Sequence, residues 1–146
     1  MGFFTNSLNE FYKLSHMLKF AAVAGVFGFL GVLLGAFGAH GLEKRLSTDG
    51  HIDTWETATL YLFVHALALL ATASLGNAGK VKGLHKVAMF WIAGVILFSG
   101  SLYVLALTNV SKLGMITPLG GLCFLIGWAL LVWNVYSTWK TTSEIT

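Results

Sequence analysis

Between Phe20 and Tyr136 the chain holds four long apolar runs, and this feature limits its fold more than any other. They cover about 20–39, 55–75, 87–108 and 113–136, and none carries Lys, Arg, Asp or Glu beyond its extreme ends, where Glu56 sits. A helix needs about 20 predominantly apolar residues to cross the hydrocarbon core of a bilayer. Inside that core each backbone N–H and C=O must find its partner within the protein, which leaves helices or closed barrels. The runs are too long and too continuous for barrel strands. They predict an all-α chain, an integral membrane four-helix bundle. Composition agrees: 56% of the residues are hydrophobic and only 10% charged, where soluble domains carry about 25% charged residues.

The first run is too long for a cleaved signal, whose apolar region spans about 7–15 residues. It reads as an anchor. The first nineteen residues have a different pattern. Phe4, Leu8, Phe11, Leu14 and Leu18 fall on one helical side, and Asn6, Asn9, Glu10, Lys13 and His16 on the other, with Met17 out of place. This predicts an amphipathic interfacial helix feeding the first span. The chain then divides into an N-terminal amphipathic segment (1–19), the bundle (20–136) and a short tail (137–146).

The basic residues orient the spans. Lys13, Lys19, Lys80, Lys82, Lys86 and Lys140 fall on one side, against Lys44, Arg45 and Lys112 on the other. An excess of Lys and Arg marks the cytoplasmic side, so both termini are expected there. The first loop, His40 to Thr54, holds "GLEKRL", which suits a helical turn, and "STDG", a turn signal. Asp53 followed by Glu56 has the spacing of a capping box and predicts a helix start. Pro118 sits at N1 without a kink if the last helix starts near Thr117, and bends it if the helix starts at Leu113.

Lipid tails are as apolar as leucine, so membrane helices associate through close van der Waals contact, which small residues permit. Ala21, Ala24, Gly28, Gly31, Gly35 and Gly38 form one stripe along the first span, with Gly31 and Gly35 as a G-x-x-x-G pair. Gly94 and Gly100 on the third span, and Gly120 and Gly127 on the fourth, are the matching helix-packing positions.

His65 is the one histidine well inside a span, about three turns in, or roughly 12–15 Å at 1.5 Å per residue. An ionisable side chain at that depth is a functional candidate. It can relay a proton, bind a quinone carbonyl or ligate haem, or it can be a neutral, packed histidine hydrogen-bonded to its neighbours, with Tyr61 one turn away closing that network. His40 marks the end of the first span. Together with Trp55, Glu56, Tyr61, Ser99, Ser101 and Thr117 these residues make the candidate polar cluster. Thr72 joins His65, Ser101 and Thr117 in one possible lining. Asp53, Glu56, Lys44 and Arg45 stand near the outer rim, where with His40 they suit a headgroup or a partner.

No cofactor and no metal is expected. The chain has one cysteine, Cys123, and no histidine pair at ligand spacing. It has no nucleophile–base pair, carboxylate dyad or phosphate loop, and no basic-aromatic patch for nucleic acid. The expected partners are the lipid bilayer and either a second copy or a membrane complex.

Four motifs carry a resemblance. "LGAFGAHGL" (Leu34–Leu42), "WETATLYLFVHALALL" (Trp55–Leu70), "LFSGSLYVLALT" (Leu97–Thr108) and "LGMITPLGGLCFLIGWALL" (Leu113–Leu131) occur in this order. The chain resembles the YgdD-like family of small bacterial inner-membrane proteins, which has relatives in mitochondria-bearing organisms, over about Phe20 to Val135. The resemblance implies four spans, a bacterial inner-membrane location and no assigned molecular role. It marks His40, Trp55, Tyr61, His65, Ser99, Gly100, Tyr103, Pro118 and Gly120 as motif positions. The functional expectation is a non-enzymatic membrane component, an accessory or oligomeric helix bundle. The alternatives are a transporter or permeation protein for a small solute, lipid or proton, lined around His65, and a haem- or quinone-binding redox protein.

Overall fold

The computed structural model describes residues 2–78 and 81–144, with side chains from Leu14 onward. Lys80 lies outside the described residues, as do the side chains as far as Lys13 that would give the N-terminal segment two faces. Helix α1 (Gly2–Ala36) continues into a π-helical turn at Phe37–Gly41. A short α2 (Glu43–Asp49) follows, then α3 (Ile52–Asn77), α4 (Leu84–Thr108), a 3-10 turn at Ser111–Met115 and α5 (Thr117–Ser143). Four segments are long and apolar enough to cross a membrane: Leu14–Gly41, Ile52–Asn77, Leu84–Thr108 and Ser111–Ser143. The chain is an all-α integral membrane protein.

The helices outrun the apolar runs at several ends. Residues 2–19 enter the first span without a break, as part of α1. Met17, the residue that disturbs the amphipathic pattern, is buried together with Phe20, while Leu14 and Leu18 are exposed. A side chain built at Gly76 of α3 would collide with Met17, so α1 already packs on α3 at this level. At the other end α5 carries the expected tail as far as Ser143. Thr138, Thr141 and Thr142 return their hydroxyls to the carbonyls of Asn134, Ser137 and Thr138. Such i−4 bonds give polar side chains a partner within the helix itself.

The first loop folds more tightly than its turn signals predict. Gly50 closes α2 in the left-handed conformation (φ 70°), and its N–H bonds the Leu46 and Ser47 carbonyls. Glycine adopts this conformation without a Cβ penalty. The His51 N–H also reaches the Leu46 carbonyl, and α3 begins at once at Ile52. Asp53 therefore lies inside the first turn of α3, and no side chain caps that end. The capping-box reading of Asp53 and Glu56 is corrected accordingly. Pro118 falls in the first turn of α5, where its missing N–H costs no helical bond.

Helix α1 packs on α3, α3 on α4 and α4 on α5. No comparable packing joins α1 to α5 among the described residues, so the bundle is an open row in chain order. The inner pair forms the core, with Ala58, Leu69, Val87, Ala88, Trp91 and Ala106 fully enclosed. In the most apolar stretch of each outer span 17% of the residues are buried, against 39% for α3 and 33% for α4. The outer helices therefore present most of their apolar side chains, among them Phe29, Leu125, Val132 and Trp133, to lipid.

The glycines make room chiefly for aromatic rings. A Cβ at Gly31 would lie 2.9 Å from the Phe63 ring, and one at Gly127 would lie 2.8 Å from the Trp91 ring. Gly38 faces the Trp55 indole, Gly94 faces the Phe124 ring, and Gly35 has the Thr59 methyl at 3.5 Å. Gly120 alone in this set meets a neighbouring backbone, at Phe98, so α5 lies close against the α4 main chain there. Gly28 and Gly100 differ: a Cβ at either meets nothing within 4 Å among the described residues. At these two positions no neighbouring side chain of the described residues fills the space a Cβ would take.

Candidate functional site

Most buried polar side chains tie one span to the next. The Trp55 indole N–H of α3 donates to the Leu34 carbonyl of α1 at 2.9 Å. The Tyr103 hydroxyl of α4 donates to Thr59 Oγ1 of α3 at 2.9 Å, and Thr59 donates to the Trp55 carbonyl. The Trp55 and Tyr103 rings meet edge to face, centroids 4.7 Å apart. Lower in the core, Trp91 Nε1 donates to Thr72 Oγ1 at 3.0 Å, and Thr72 donates to the Ala68 carbonyl. Ser101 Oγ and Thr117 Oγ1 share a hydrogen bond of 2.8 Å between α4 and α5. Thr72, Ser101 and Thr117 therefore do not form one lining with His65. They belong to separate ties between different helix pairs.

His65 lies at the middle of α3 and is 3% exposed. Its Nδ1 is 2.9 Å from the Tyr61 carbonyl one turn earlier. A carbonyl only accepts, so Nδ1 carries the proton of this bond and a neutral ring presents a lone pair at Nε2. The expected Tyr61 contact is thus made by the backbone. Tyr61 instead lays its ring on Phe98, centroids 4.4 Å apart. The imidazole lies flat on Phe124, with centroids 3.4 Å apart and planes 10° apart. Trp91 and Trp128 stand at 5.2 and 6.3 Å. His65 Nε2 is buried with no hydrogen-bond partner among the described residues, and so is Ser99 Oγ. Leaving a buried polar atom unpaired costs about 1–3 kcal/mol, and a lipid-immersed site cannot recover it from bulk water.

His65 lines a cavity of about 580 Å³ between α3 and α5, where Tyr61, Phe98, Gly121, Phe124 and Trp128 join it. It exists because α3 and α5 both lean on α4. Its outer wall is absent, so the cavity is a groove open to the acyl chains.

The other candidate residues fall elsewhere. His40 is exposed on the π-helical turn at the exit of the first span. Glu56 lines a second cavity of about 440 Å³ with Glu43, Gly38 and Trp55. Arg45 of the expected rim cluster donates to the Leu107 carbonyl and lies 3.9 Å from Asp49. Asp49 accepts from the Asn109 amide at 3.3 Å, and Asn109 Oδ1 is 2.6 Å from His51 Nε2. Asp49, His51 and Asn109 were not among the sequence candidates. Asn109 ends α4 in the left-handed conformation (φ 57°), a conformation asparagine tolerates, and an asparagine after an apolar run is a signal for it. Its pairing across the fold has no local signature. On the opposite side His16 and His85 meet edge to face at 6.1 Å. Among the described residues no group of three His, Cys, Asp or Glu side chains is placed to hold a metal.

Comparison with known proteins finds similar bacterial membrane proteins. Residues 34–121 match the family described as "Protein of unknown function (DUF423)". The UPF0382 membrane protein YwdK of Bacillus subtilis is 44% identical over 119 residues, covering 80% of this chain and 94% of that protein. A UPF0382 membrane protein of Staphylococcus saprophyticus is 40% identical over 121 residues, covering 80% and 95%, and one of Staphylococcus epidermidis is 43% identical over 121 residues, covering 80% and 93%. No solved structure matches the chain. With the family match running from the end of the first span through its rim and the inner helix pair into the start of α5, and with relatives aligned over nearly their whole length, the chain belongs to the DUF423 family, the UPF0382 membrane proteins.

Proposed function

We propose that the chain is a non-enzymatic membrane component that works by association with a second copy of itself. The open row supports this reading: α1 packs along its length only on α3, and α5 only on α4, apart from single ring contacts such as Phe20 with His85 and His65 with Phe124. Helix α1 also carries Gly25 and Gly28, which meet nothing within 4 Å among the described residues. Small residues on the free side of a membrane helix admit another backbone to close range. The membrane is the bacterial inner membrane with both termini cytoplasmic, supported by the lysine distribution and by the bacterial membrane relatives. The motif resemblance to the YgdD-like family belongs to the same reading. A permeation path lined around His65 draws less support, since Thr72, Ser101 and Thr117 are engaged in ties between helices.

The test is the oligomeric state in lipid nanodiscs, by native mass spectrometry of the released protein. The wild type is expected as a dimer or larger, and Gly28→Leu as a monomer with unchanged helix content. A monomeric wild type, association unaffected by Gly28→Leu, or capture of a different membrane protein in place of the second copy overturns the proposal.

A further inference from the structure

The groove at His65 combines features that the ties between helices do not explain. It opens sideways, with Leu125 at its mouth 68% exposed. A ligand therefore enters from the bilayer and is itself apolar over most of its surface. The inner walls are aromatic faces: Tyr61 on Phe98, Phe124 beneath the imidazole, and Trp128 at the rim. Flat rings stack well against such walls. The polar atom that lacks a partner here is His65 Nε2. Because Nδ1 is held by the Tyr61 carbonyl of the same helix, Nε2 is the ring edge turned away from the α3 backbone. In the neutral ring it can only accept, so it calls for a donor. A quinone or other carbonyl offers none. A phenolic hydroxyl does.

Depth narrows the class further. His65 is the fourteenth residue of a 26-residue helix, so at 1.5 Å per residue it lies roughly 20 Å from either helix end. Phosphate and choline headgroups sit at the membrane surface and do not reach that level. A hydroquinone or similar hydroxyaromatic ring on an apolar tail does, because it carries no charge and its polar groups are few.

We propose that the groove between α3 and α5 binds an uncharged hydroxyaromatic lipid of the quinol type, which packs its ring against Tyr61 and Trp128 and donates its hydroxyl to His65 Nε2. The site is one of binding, and the bound ring keeps its oxidation state. It is independent of the association proposed above, since it lies within one chain.

The experiment uses the full chain in phosphatidylcholine–phosphatidylglycerol nanodiscs, with decylubiquinol under anaerobic conditions as probe and its dimethyl ether as the donor-free analogue. Binding is read as the excess of probe in protein-bearing discs over empty discs of the same lipid at equilibrium. The wild type is expected to hold the quinol at least tenfold more tightly than the ether. His65→Phe is expected to abolish that preference. Gly121→Leu fills the groove without touching His65: a Cβ there meets only the Phe98 ring, at 3.9 Å. It is expected to weaken quinol binding at least tenfold with helix content and melting unchanged. Equal binding of quinol and ether by the wild type, binding of neither, a preference that survives His65→Phe, or quinol binding indifferent to Gly121→Leu overturns the proposal. The wild-type comparison needs no variant, so it decides the matter even if His65→Phe fails to fold.

Discussion

Trp55 occupies the space that a side chain at Gly38 would need, and from that seat it donates its indole N–H to the Leu34 carbonyl at 2.9 Å. One tryptophan thus closes α1 against α3 in two ways, by filling a hole and by satisfying itself on the neighbouring backbone. A buried indole N–H in lipid has no other recourse.

Gly38→Ala forces the indole to move, and we expect it to destabilise the protein by about 1–3 kcal/mol, the usual cost of overpacking. Gly28→Ala, where nothing lies within 4 Å, should change stability by no more than about 0.5 kcal/mol. Reversible unfolding in mixed micelles, followed by far-UV circular dichroism, separates the two. Equal effects at both positions would show that the fit of Trp55 to Gly38 is unimportant.

Thr72→Val keeps the volume of the side chain but leaves the Trp91 indole N–H without its acceptor. The expected loss is about 0.6 kcal/mol, the average for interhelical hydrogen bonds measured in a membrane bundle, and no more than about 1.7 kcal/mol, their maximum. A double-mutant cycle with Trp91→Phe should recover a coupling of that size, and a coupling of zero would refute the tie.

Asn109 joins two roles, a left-handed helix end and a bridge to Asp49 and His51. Asn109→Gly preserves the backbone and removes the bridge, whereas Asn109→Ala removes the bridge and strains the turn by a further 1 kcal/mol or so. Amide exchange in α2 should accelerate in both variants, and the melting temperature should fall further for Asn109→Ala. A lower melting temperature for the glycine variant would contradict this.

The proposed orientation places Lys82 in the cytoplasm and Lys112 on the opposite side. With Cys123 replaced by serine, Lys112→Cys should react with a membrane-impermeant maleimide in intact cells, and Lys82→Cys only after permeabilisation. The reverse pattern would invert the topology.

The spans were legible because a bilayer imposes length and apolarity directly on sequence, and short loops force neighbours in the chain to be neighbours in space. Helix ends were less legible. Thr138, Thr141 and Thr142 look like a polar tail, yet their back-bonded hydroxyls carry α5 onward. The stripe of glycines pointed to close helix contact, but the aromatic partners that fill most of those spaces could not be assigned, since pairing depends on register between helices. His65 was readable as an isolated polar residue at depth. Its aromatic enclosure was not, because Phe124, Trp91 and Trp128 come from two other helices. The rim bridge escaped for the same reason: Asp49, His51 and Asn109 are ordinary loop residues until the ends of α2 and α4 meet.

The open row has a bearing on how the protein is made. Each span packs along its length on the one synthesised just before it, and the ring contacts that skip a neighbour, Phe20 with His85 and His65 with Phe124, are local additions. Insertion and tertiary packing can therefore proceed together, one helix at a time, as the ribosome delivers the chain to the membrane. Indole groups at Trp55 and Trp91 find their acceptors at Leu34 and Thr72, which have already been threaded when each tryptophan emerges.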